Sequence, residues 1–390
     1  MLAFTAVASF ATGTATLSIY FVTARPPYGF TPLQQYALGF LVGVVYTLGA
    51  LLAARVRRAA LASSGSSRAL LAGLSLAMAL VLCLPLATSS DASVFVLLAL
   101  YAPLTGCFWP LVEAYVSGGR RAGELRSAIG RFNVTWSATL LPSFLLPPLL
   151  EHHSTRAVFV TLALAHLACL ALLVPFRREP GEHVHEHDDV HAVPTRYREL
   201  LRVHRVLHAM SYLVMYALSP YLPRLLERLG FTGFGASALA ATWLLARVLT
   251  FFALERWHGW HGRWSVAVVG ALCVLGGFGA TLLAPGLGSA APALVVPALL
   301  VFGAGLAALY TAALYYAFEV GGNEGGGSHE ALIGLGYSIG PACGLAVLGL
   351  EQRGFIDAAR RDGALLAIIA LVCTGAAVLA WRRRRSGDVA

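Results

Sequence analysis

The 390-residue chain contains no lysine, and charged residues make up only 12% of it. Soluble proteins carry charges on roughly 25% of their residues, so a water-soluble fold of the whole chain is excluded. All 28 basic residues are arginine, and the formal net charge is +9. Because these arginines flank long apolar stretches, the charge indicates loops at a membrane surface, and we expect no nucleic-acid partner.

Sequence signals of catalysis and of bound groups are also missing. The six cysteines lie within apolar stretches and have no CxxC spacing, which predicts small buried hydrophobic residues rather than disulfides or zinc ligands. The chain has no nucleophile elbow and no HExxH motif, and the glycine-rich segment 321–328 lacks the lysine of a phosphate loop. We therefore predict no enzymatic activity and no cofactor.

Apolar sequence, in contrast, is abundant. A helix needs about 20 residues to cross a hydrocarbon core of about 30 Å, and twelve stretches have that length. They are residues 3–23, 33–54, 69–89, 93–116, 126–149, 157–176, 203–225, 235–254, 265–284, 292–318, 331–350 and 363–381. This pattern predicts an all-α integral membrane protein with 12 transmembrane helices, surrounded by a lipid bilayer.

The loops between these stretches alternate between rich and poor in arginine. With a cytoplasmic N-terminus, 20 arginines fall on the cytoplasmic side and seven on the outer side, while Arg247 lies within a span. The positive-inside rule therefore predicts that both termini are cytoplasmic. We expect a bacterial cytoplasmic (inner) membrane.

A charged segment divides the chain into two sets of six stretches. The predicted domains are an N-terminal half at 1–176, a linker rich in histidine and charge at 177–202, a C-terminal half at 203–381 and a basic tail at 382–390. Shifting the second half back by 204 residues aligns Gly123 with Gly327 and Gly130 with Gly334. Such a repeat is typical of secondary transporters built from two six-helix halves.

Two motifs relate the chain to a known family. The segment from Gly49 to Arg58 looks like a degraded form of the Gly-x-Leu-x-Asp-Arg-x-Gly-Arg signature, and Ala54 replaces its aspartate. A second segment matches the GxxxGPxxG antiporter motif, which exporters of the family carry in helix 5 and this chain carries in helix 11. Its residues are Gly336, Gly340, Pro341 and Gly344, and we expect them to kink helix 11.

In these features the chain resembles the major facilitator superfamily over nearly its whole length. The resemblance implies a secondary carrier in which two halves rock about a central cavity between helices 1, 4, 7 and 10. We predict a monomer that moves a small, uncharged or amphipathic organic solute by alternating access. Predicted cavity residues are Trp109, Asn133, Trp136, Tyr212, Tyr216, Tyr315, Tyr316 and Tyr337, whose rings and polar groups suit such a solute.

Charges inside the predicted spans are few and therefore informative, because an unpaired charge costs about 2.5–3.5 kcal/mol in a bilayer. We expect Glu319 to pair with Arg247, and Glu113 to pair with a nearby arginine. The proposed gating residues are Glu113, Arg131, Arg247, Glu319, Arg55 and Arg57. No acidic residue lies near the middle of a span, so support for proton coupling is thin. His166 is interpreted as a hydrogen-bonded structural histidine.

Two alternatives remain open. The linker histidines His183, His185, His187 and His191 alternate with carboxylates, and this pattern suits zinc, nickel or copper. A carrier for a divalent metal or a metal chelate is therefore the first alternative to a solvated linker. The second is a membrane sensor or scaffold that binds a ligand without transporting it.

Overall fold

The computed structural model describes residues 1–120, 122–150, 154–181, 194–321 and 325–385, and the regular structure of these residues is helical. The long helices follow one another in chain order. They are α1 (Leu2–Thr23), α2 (Pro32–Ser64), α3 (Ser67–Ala87), α4 (Asp91–Ser117), α5 (Ala122–Leu150), α6 (Thr155–Leu172), α7 (Thr195–Leu218), α8 (Gly233–Arg256), α9 (Ser265–Leu283), α10 (Ala291–Gly321), α11 (Gly325–Gln352) and α12 (Arg361–Arg385). A short helix, Leu222–Arg228, lies between α7 and α8.

Within the described residues, 9 helical segments are long and apolar enough to cross a membrane. One of them, Ser265–Val320, has 56 residues and contains both α9 and α10. Helices α5 and α7 are not among the nine. The described part of the chain is thus all-helical, and its helices fall at the apolar stretches of the sequence.

Four helix ends differ by six or more residues from the sequence-based boundaries. Helix α2 continues ten residues past position 54 and stops at Ser64, where Gly65 adopts the left-handed conformation (φ 63°) that terminates helices. Helix α7 begins at Thr195 rather than at 203, so the last eight residues assigned to the linker are helical. It ends at Leu218 because Pro220 follows, whereas we predicted helix to 225. Helix α11 begins at Gly325, six residues early.

The two halves meet along two pairs of helices, α2 with α11 and α5 with α8. Glycine allows close approach in the first pair: a methyl group added to Gly43 would lie 2.3 Å from the backbone nitrogen of Ser338. On α11, one added to Gly334 would lie 2.4 Å from the hydroxyl of Thr47. Small residues of this kind let membrane helices pack backbone to backbone.

Candidate functional site

A cavity of about 90 Å³ lies between the two halves, and both halves line it. Helices α1, α2, α4 and α5 contribute Thr12, Thr16, Tyr46, Thr105, Trp109, Glu113 and Trp136, among others. Helices α7, α8, α10 and α11 contribute Tyr212, Arg247, Tyr310, Glu330 and Tyr337. Seven of the 19 described residues that line it are aromatic, and the wall also carries one guanidinium and two carboxyl groups.

Helix α1 widens into a π-turn at Thr14–Ser18, directly beside the cavity. The hydroxyl of Thr16 donates to the Thr12 carbonyl at 2.7 Å, and Ser18 donates to the Thr14 carbonyl at 3.1 Å. Single π-turns within α-helices are frequent at functional sites. Thr12 and Thr16, just before and within this turn, line the cavity.

Four of the eight predicted cavity residues line this cavity, namely Trp109, Trp136, Tyr212 and Tyr337. The other four lie elsewhere. Tyr216 stacks on Tyr337 with ring centroids 3.7 Å apart, behind the wall. Asn133 and Tyr315 line a second, smaller pocket with His261, and Tyr316 accepts a hydrogen bond from the Gly262 amide at 2.9 Å.

Arg247 is buried (1% exposed) and is enclosed by aromatic rings. Its guanidinium carbon lies 4.4 Å from the ring centre of Trp136 and 5.4 Å from that of Tyr310, and it donates to the Tyr212 hydroxyl at 2.9 Å. Glu319, the predicted partner of Arg247, is not among these contacts. Nine residues of α10 separate Tyr310 from Glu319, a distance of about 13 Å along the helix axis.

Glu113 is also buried (2% exposed), but its neighbour is a second acid and not an arginine. Its carboxyl group lies within hydrogen-bonding reach of the Glu330 carboxyl group. Glu330 also accepts a hydrogen bond from the hydroxyl of Tyr46. Two carboxyl groups can share a hydrogen bond only when one of them carries a proton, which makes this pair a candidate proton site between the halves.

The arginines predicted to pair with Glu113 have other surroundings. Arg55 and Arg131 are exposed, and Arg131 donates to the Ser127 carbonyl of its own helix at 3.3 Å. Arg57 forms an ion pair with Glu179 at 3.3 Å. The arginine partners that we predicted for Glu113 are therefore not the groups that it meets.

Glu179 holds the start of the linker against the N-terminus of α3. Its carboxylate accepts hydrogen bonds from the Ser67 amide at 2.5 Å, the Ser67 hydroxyl at 2.6 Å and Arg57 at 3.3 Å. Partial burial acts to raise the pKa of Glu179, but these hydrogen bonds outweigh it, and the pKa lies below its ordinary value. A carboxylate at this position also interacts favourably with the helix dipole.

Glu330 is the main functional candidate that the sequence-based prediction missed. The residue directly precedes the predicted span 331–350, so it is not among the charges inside the predicted spans. In the structure α11 begins at Gly325, and Glu330 is buried at 4% exposure. The adjacent His329 is also buried and stacks on His208 with ring centroids 4.3 Å apart. A His-Glu pair at the start of an apolar stretch was the available signal.

Two further predictions concern histidine. Within the N-terminal half, a ring nitrogen of the buried His166 lies 2.7 Å from the Tyr101 hydroxyl, which confirms the hydrogen-bonded interpretation. The linker histidines 183, 185, 187 and 191 lie outside the described residues. Among the residues that are described, no three His, Cys, Asp or Glu side chains are placed to hold a metal ion.

The glycines of the GxxxGPxxG motif serve close packing. Gly336 and Gly340 face the α7 backbone: methyl groups there would lie 2.7 Å from the Ala209 carbonyl oxygen and 2.2 Å from the Leu213 carbonyl oxygen. A methyl at Gly344 would lie 2.2 Å from the ring of Tyr36 on α2. Helix α11 is continuous from Gly325 to Gln352, and the predicted kink at Pro341 stays a prediction.

Comparisons with known proteins agree with this architecture. The structure is similar to that of the nucleoside transporter NupG, with a TM-score of 0.66 and 11% identity over 98% of this chain and 97% of the other. It is also similar to a bacterial homologue of the human lysosomal transporter Spinster, solved in an inward-facing and occupied conformation. That TM-score is 0.63, with 15% identity over 98% and 96% of the two chains.

Likeness at such low identity establishes the fold alone. No curated protein sequence matches the chain significantly. The sequence profile of the Major Facilitator Superfamily, however, matches residues 2–345, which is most of the chain. The protein therefore belongs to the major facilitator superfamily and is an integral membrane transporter rather than an enzyme.

Proposed function

We propose that the protein carries a small organic solute across the membrane by alternating access of the central cavity. The observation that carries this proposal is the composition of the cavity wall, to which both halves of the chain contribute. The halves are residues 1–176 and 203–381, joined by the linker 177–202 and followed by the basic tail 382–390. Because one chain encloses the whole cavity, a monomer suffices.

The proposed topology has twelve spans and two cytoplasmic termini. Separating α9 from α10 raises the nine apolar segments to ten, and α5 and α7 supply the others. Helix α7 begins with the arginine-rich sequence Thr195–Arg205, which lowers its hydropathy at the end that we place in the cytoplasm. The arginine distribution supports this orientation, in a bacterial cytoplasmic membrane.

Contacts at two levels of α2 are the proposed gates. Toward the start of the helix, the hydroxyl of Tyr36 donates to the Ala217 carbonyl of α7 at 3.0 Å. Ten residues later on α2, Tyr46 contacts Glu330 of α11. Glu113 of α4 contacts the same carboxyl group. With the proposed orientation, the Tyr36 contact is the outer gate and the group of Tyr46, Glu113 and Glu330 is the inner gate. A proton that joins the two carboxyl groups would hold the inner gate shut.

Cysteine accessibility tests alternating access without knowledge of the solute. The six native cysteines are replaced, and Thr12, a cavity residue, is changed to cysteine. A membrane-impermeant maleimide is then added to right-side-out and to inverted vesicles. We expect labelling from both sides. A disulfide between Gly39→Cys and Pro220→Cys at the same end of the cavity, where a β-carbon on Gly39 would lie 3.2 Å from the Pro220 ring, is formed before labelling. It should abolish labelling from the outer side alone.

Two controls fix the orientation and make the result decisive. Ser63→Cys should react only from the cytoplasmic side, and Thr232→Cys only from the outside, since both positions are exposed on opposite predicted faces. Labelling of Thr12→Cys from one side only, or equally from both sides after the outer disulfide has formed, contradicts alternating access. A binding protein that does not transport would give the first of these results.

A further inference from the structure

We propose that Arg247 recognises the carboxylate of the solute, and that the solute is a monocarboxylate with an aromatic or other apolar body. This inference rests on the proposed transport function and names the class of its substrate. It starts from a guanidinium that is buried at 1% exposure and lines the central cavity.

The charge of Arg247 is stabilised by rings and not by an acid. Besides Trp136 and Tyr310, the rings of Tyr212, Trp243 and Phe251 lie 5.5–6.0 Å from its guanidinium carbon. The ion pairs that join described residues do not include Arg247. Ring faces attract a cation but accept no strong hydrogen bonds. Among the described residues this guanidinium therefore has no anionic partner, and a bound solute can provide one.

The Arg247 guanidinium also has an unused hydrogen-bond donor. The guanidinium donates to the Tyr212 hydroxyl through one terminal nitrogen, while its Nε–H has no partner. Nearly all buried polar groups of this kind are hydrogen-bonded in native structures. A carboxylate matches the geometry of a guanidinium and can accept two parallel hydrogen bonds from it. A carboxylate arriving from the cavity would therefore fill the vacant acceptor position.

The charges of the cavity limit the solute to a single negative charge. Arg247 is the one basic residue among the cavity-lining residues that the structure describes, and Glu113 and Glu330 share the wall with it. A second negative charge would face these two acids without a cation. The remaining wall, with Trp109, Phe132, Trp136, Tyr310 and Tyr337, suits an aromatic or apolar body.

Charge balance then links the solute to a proton. With one proton shared by Glu113 and Glu330, this acid pair carries one negative charge, which balances Arg247. A bound carboxylate adds a negative charge, and a second proton on the acid pair restores neutrality. The titratable and charged groups that face the pair from the neighbouring helices are Tyr46, Tyr212, Tyr310 and Arg247, with His208 and His329 packed behind Tyr310.

Intrinsic fluorescence measures binding directly, because Trp136 and Trp243 flank the guanidinium. The purified full chain in lipid nanodiscs is titrated with acetate, benzoate and phenylacetate, and with benzamide as the neutral counterpart of benzoate. We expect at least one carboxylate to bind more tightly than benzamide by about 10-fold or more, the usual contribution of a charged hydrogen bond. In a weakly buffered solution with a pH indicator, each bound carboxylate should take up about one proton.

The matched variants are Arg247→Gln, Arg247→Lys and Arg256→Gln. The first should remove the preference for carboxylates and leave benzamide binding unchanged, while the second keeps the charge and should retain part of the preference. Arg256 is on the same helix and lies 3.4 Å from the ring centre of Phe252, but it is exposed, so its variant should bind as the parent does. Size-exclusion profiles and melting temperatures show which variants are folded.

Three results overturn the inference. The first is that none of the three carboxylates binds. The second is that benzoate binds, but no more tightly than benzamide. The third is that a folded Arg247→Gln protein keeps the parent's preference for carboxylates. Carboxylate binding without proton uptake overturns the charge balance. These binding measurements do not require the cavity to open to both sides of the membrane. The transport proposal is tested separately, by the cysteine labelling of Thr12→Cys.

Discussion

The hydroxyl of Tyr46 on α2 donates a hydrogen bond to the carboxyl group of Glu330 on α11, which lies 284 residues away in the chain. The two residues belong to different halves of the protein, so the bond forms only when the halves are close at this level. Glu113 of α4 meets the same carboxyl group. This contact makes the closure of one end of the cavity depend on a few polar atoms.

Tyr46→Phe should weaken the inner gate without changing the shape of the ring. The loss of a hydrogen bond to a carboxyl group corresponds to about 1.4 kcal/mol or more, or roughly a 10-fold shift between closed and open forms. Labelling of Thr12→Cys in inverted vesicles should become faster by about that factor. The matched control is Tyr101→Phe, which removes a buried hydroxyl that contacts His166 within one half. Equal acceleration in both variants would refute a specific role for Tyr46.

Tyr36→Phe should have the opposite effect. The Tyr36 hydroxyl donates to the Ala217 carbonyl at 3.0 Å and thus joins α2 to α7 at the proposed outer gate. Without this donor, the outward-open form gains population, and we expect faster labelling of Thr12→Cys in right-side-out vesicles. Labelling in inverted vesicles should slow correspondingly. If Tyr36→Phe and Tyr46→Phe shift labelling toward the same side, the assignment of two opposed gates is wrong.

Gly43→Ala tests the close contact between α2 and α11. The added methyl group would lie 2.3 Å from backbone atoms of Tyr337 and Ser338, which cannot turn aside as a side chain can. We expect a destabilisation of about 1–3 kcal/mol, measured as a lower thermal unfolding temperature in detergent. Gly73→Ala is the control, because nothing lies within 4 Å of the added methyl group on α3. A folded Gly43→Ala protein with the parent's melting temperature would contradict the close approach of the two helices.

Glu179→Gln should make stability less dependent on pH. The pKa of Glu179 is below its ordinary value in the folded protein, so its carboxylate contributes stability above the unfolded pKa, and this contribution is lost as the pH falls through the folded pKa. We expect the variant to be less stable at pH 7 by about 1 kcal/mol or less, since the group is partly exposed. The difference should begin to shrink below about pH 4, near the ordinary pKa of a glutamate, and should vanish only below the lower pKa of the folded protein.

Thermal unfolding of both proteins at pH 7 and at the lowest pH that the parent tolerates measures this effect. Glu227→Gln provides the comparison, because Glu227 forms an exposed ion pair with Arg224 within one short helix. That variant should change stability little at either pH. A loss of stability in Glu179→Gln that is the same at both pH values would argue for a packing effect.

Helix positions were predictable from the sequence, because a bilayer requires apolar stretches of a fixed length. The ends of α2 and α11 were less predictable, since polar residues continue both helices beyond the apolar stretch. The family resemblance also placed Trp109, Trp136, Tyr212 and Tyr337 correctly on the helices that surround the cavity. It could not distinguish Tyr216 from Tyr212, because which ring faces the cavity depends on the rotation of α7.

Partners across helices were the part that sequence could not provide. We paired Glu113 and Arg247 with charges of opposite sign, since buried charges are usually neutralised in that way. In the structure Arg247 is held by aromatic rings, and Glu113 meets another acid. Both solutions use groups from distant parts of the chain, and no local pattern around Arg247 or Glu113 specifies which residues will surround it.

The close, glycine-mediated contact between α2 and α11 affects how the two halves can move relative to each other. At Gly43 and Gly334 the two helices touch through backbone and small groups. Interdigitated side chains must leave one set of holes before they enter the next, and this imposes a barrier on rotation. The contact at Gly43 and Gly334 imposes no such barrier. At these two levels the helices can therefore rotate against each other. We expect the relative energies of the inward-open and outward-open forms to come from the polar contacts of Tyr36 and Tyr46.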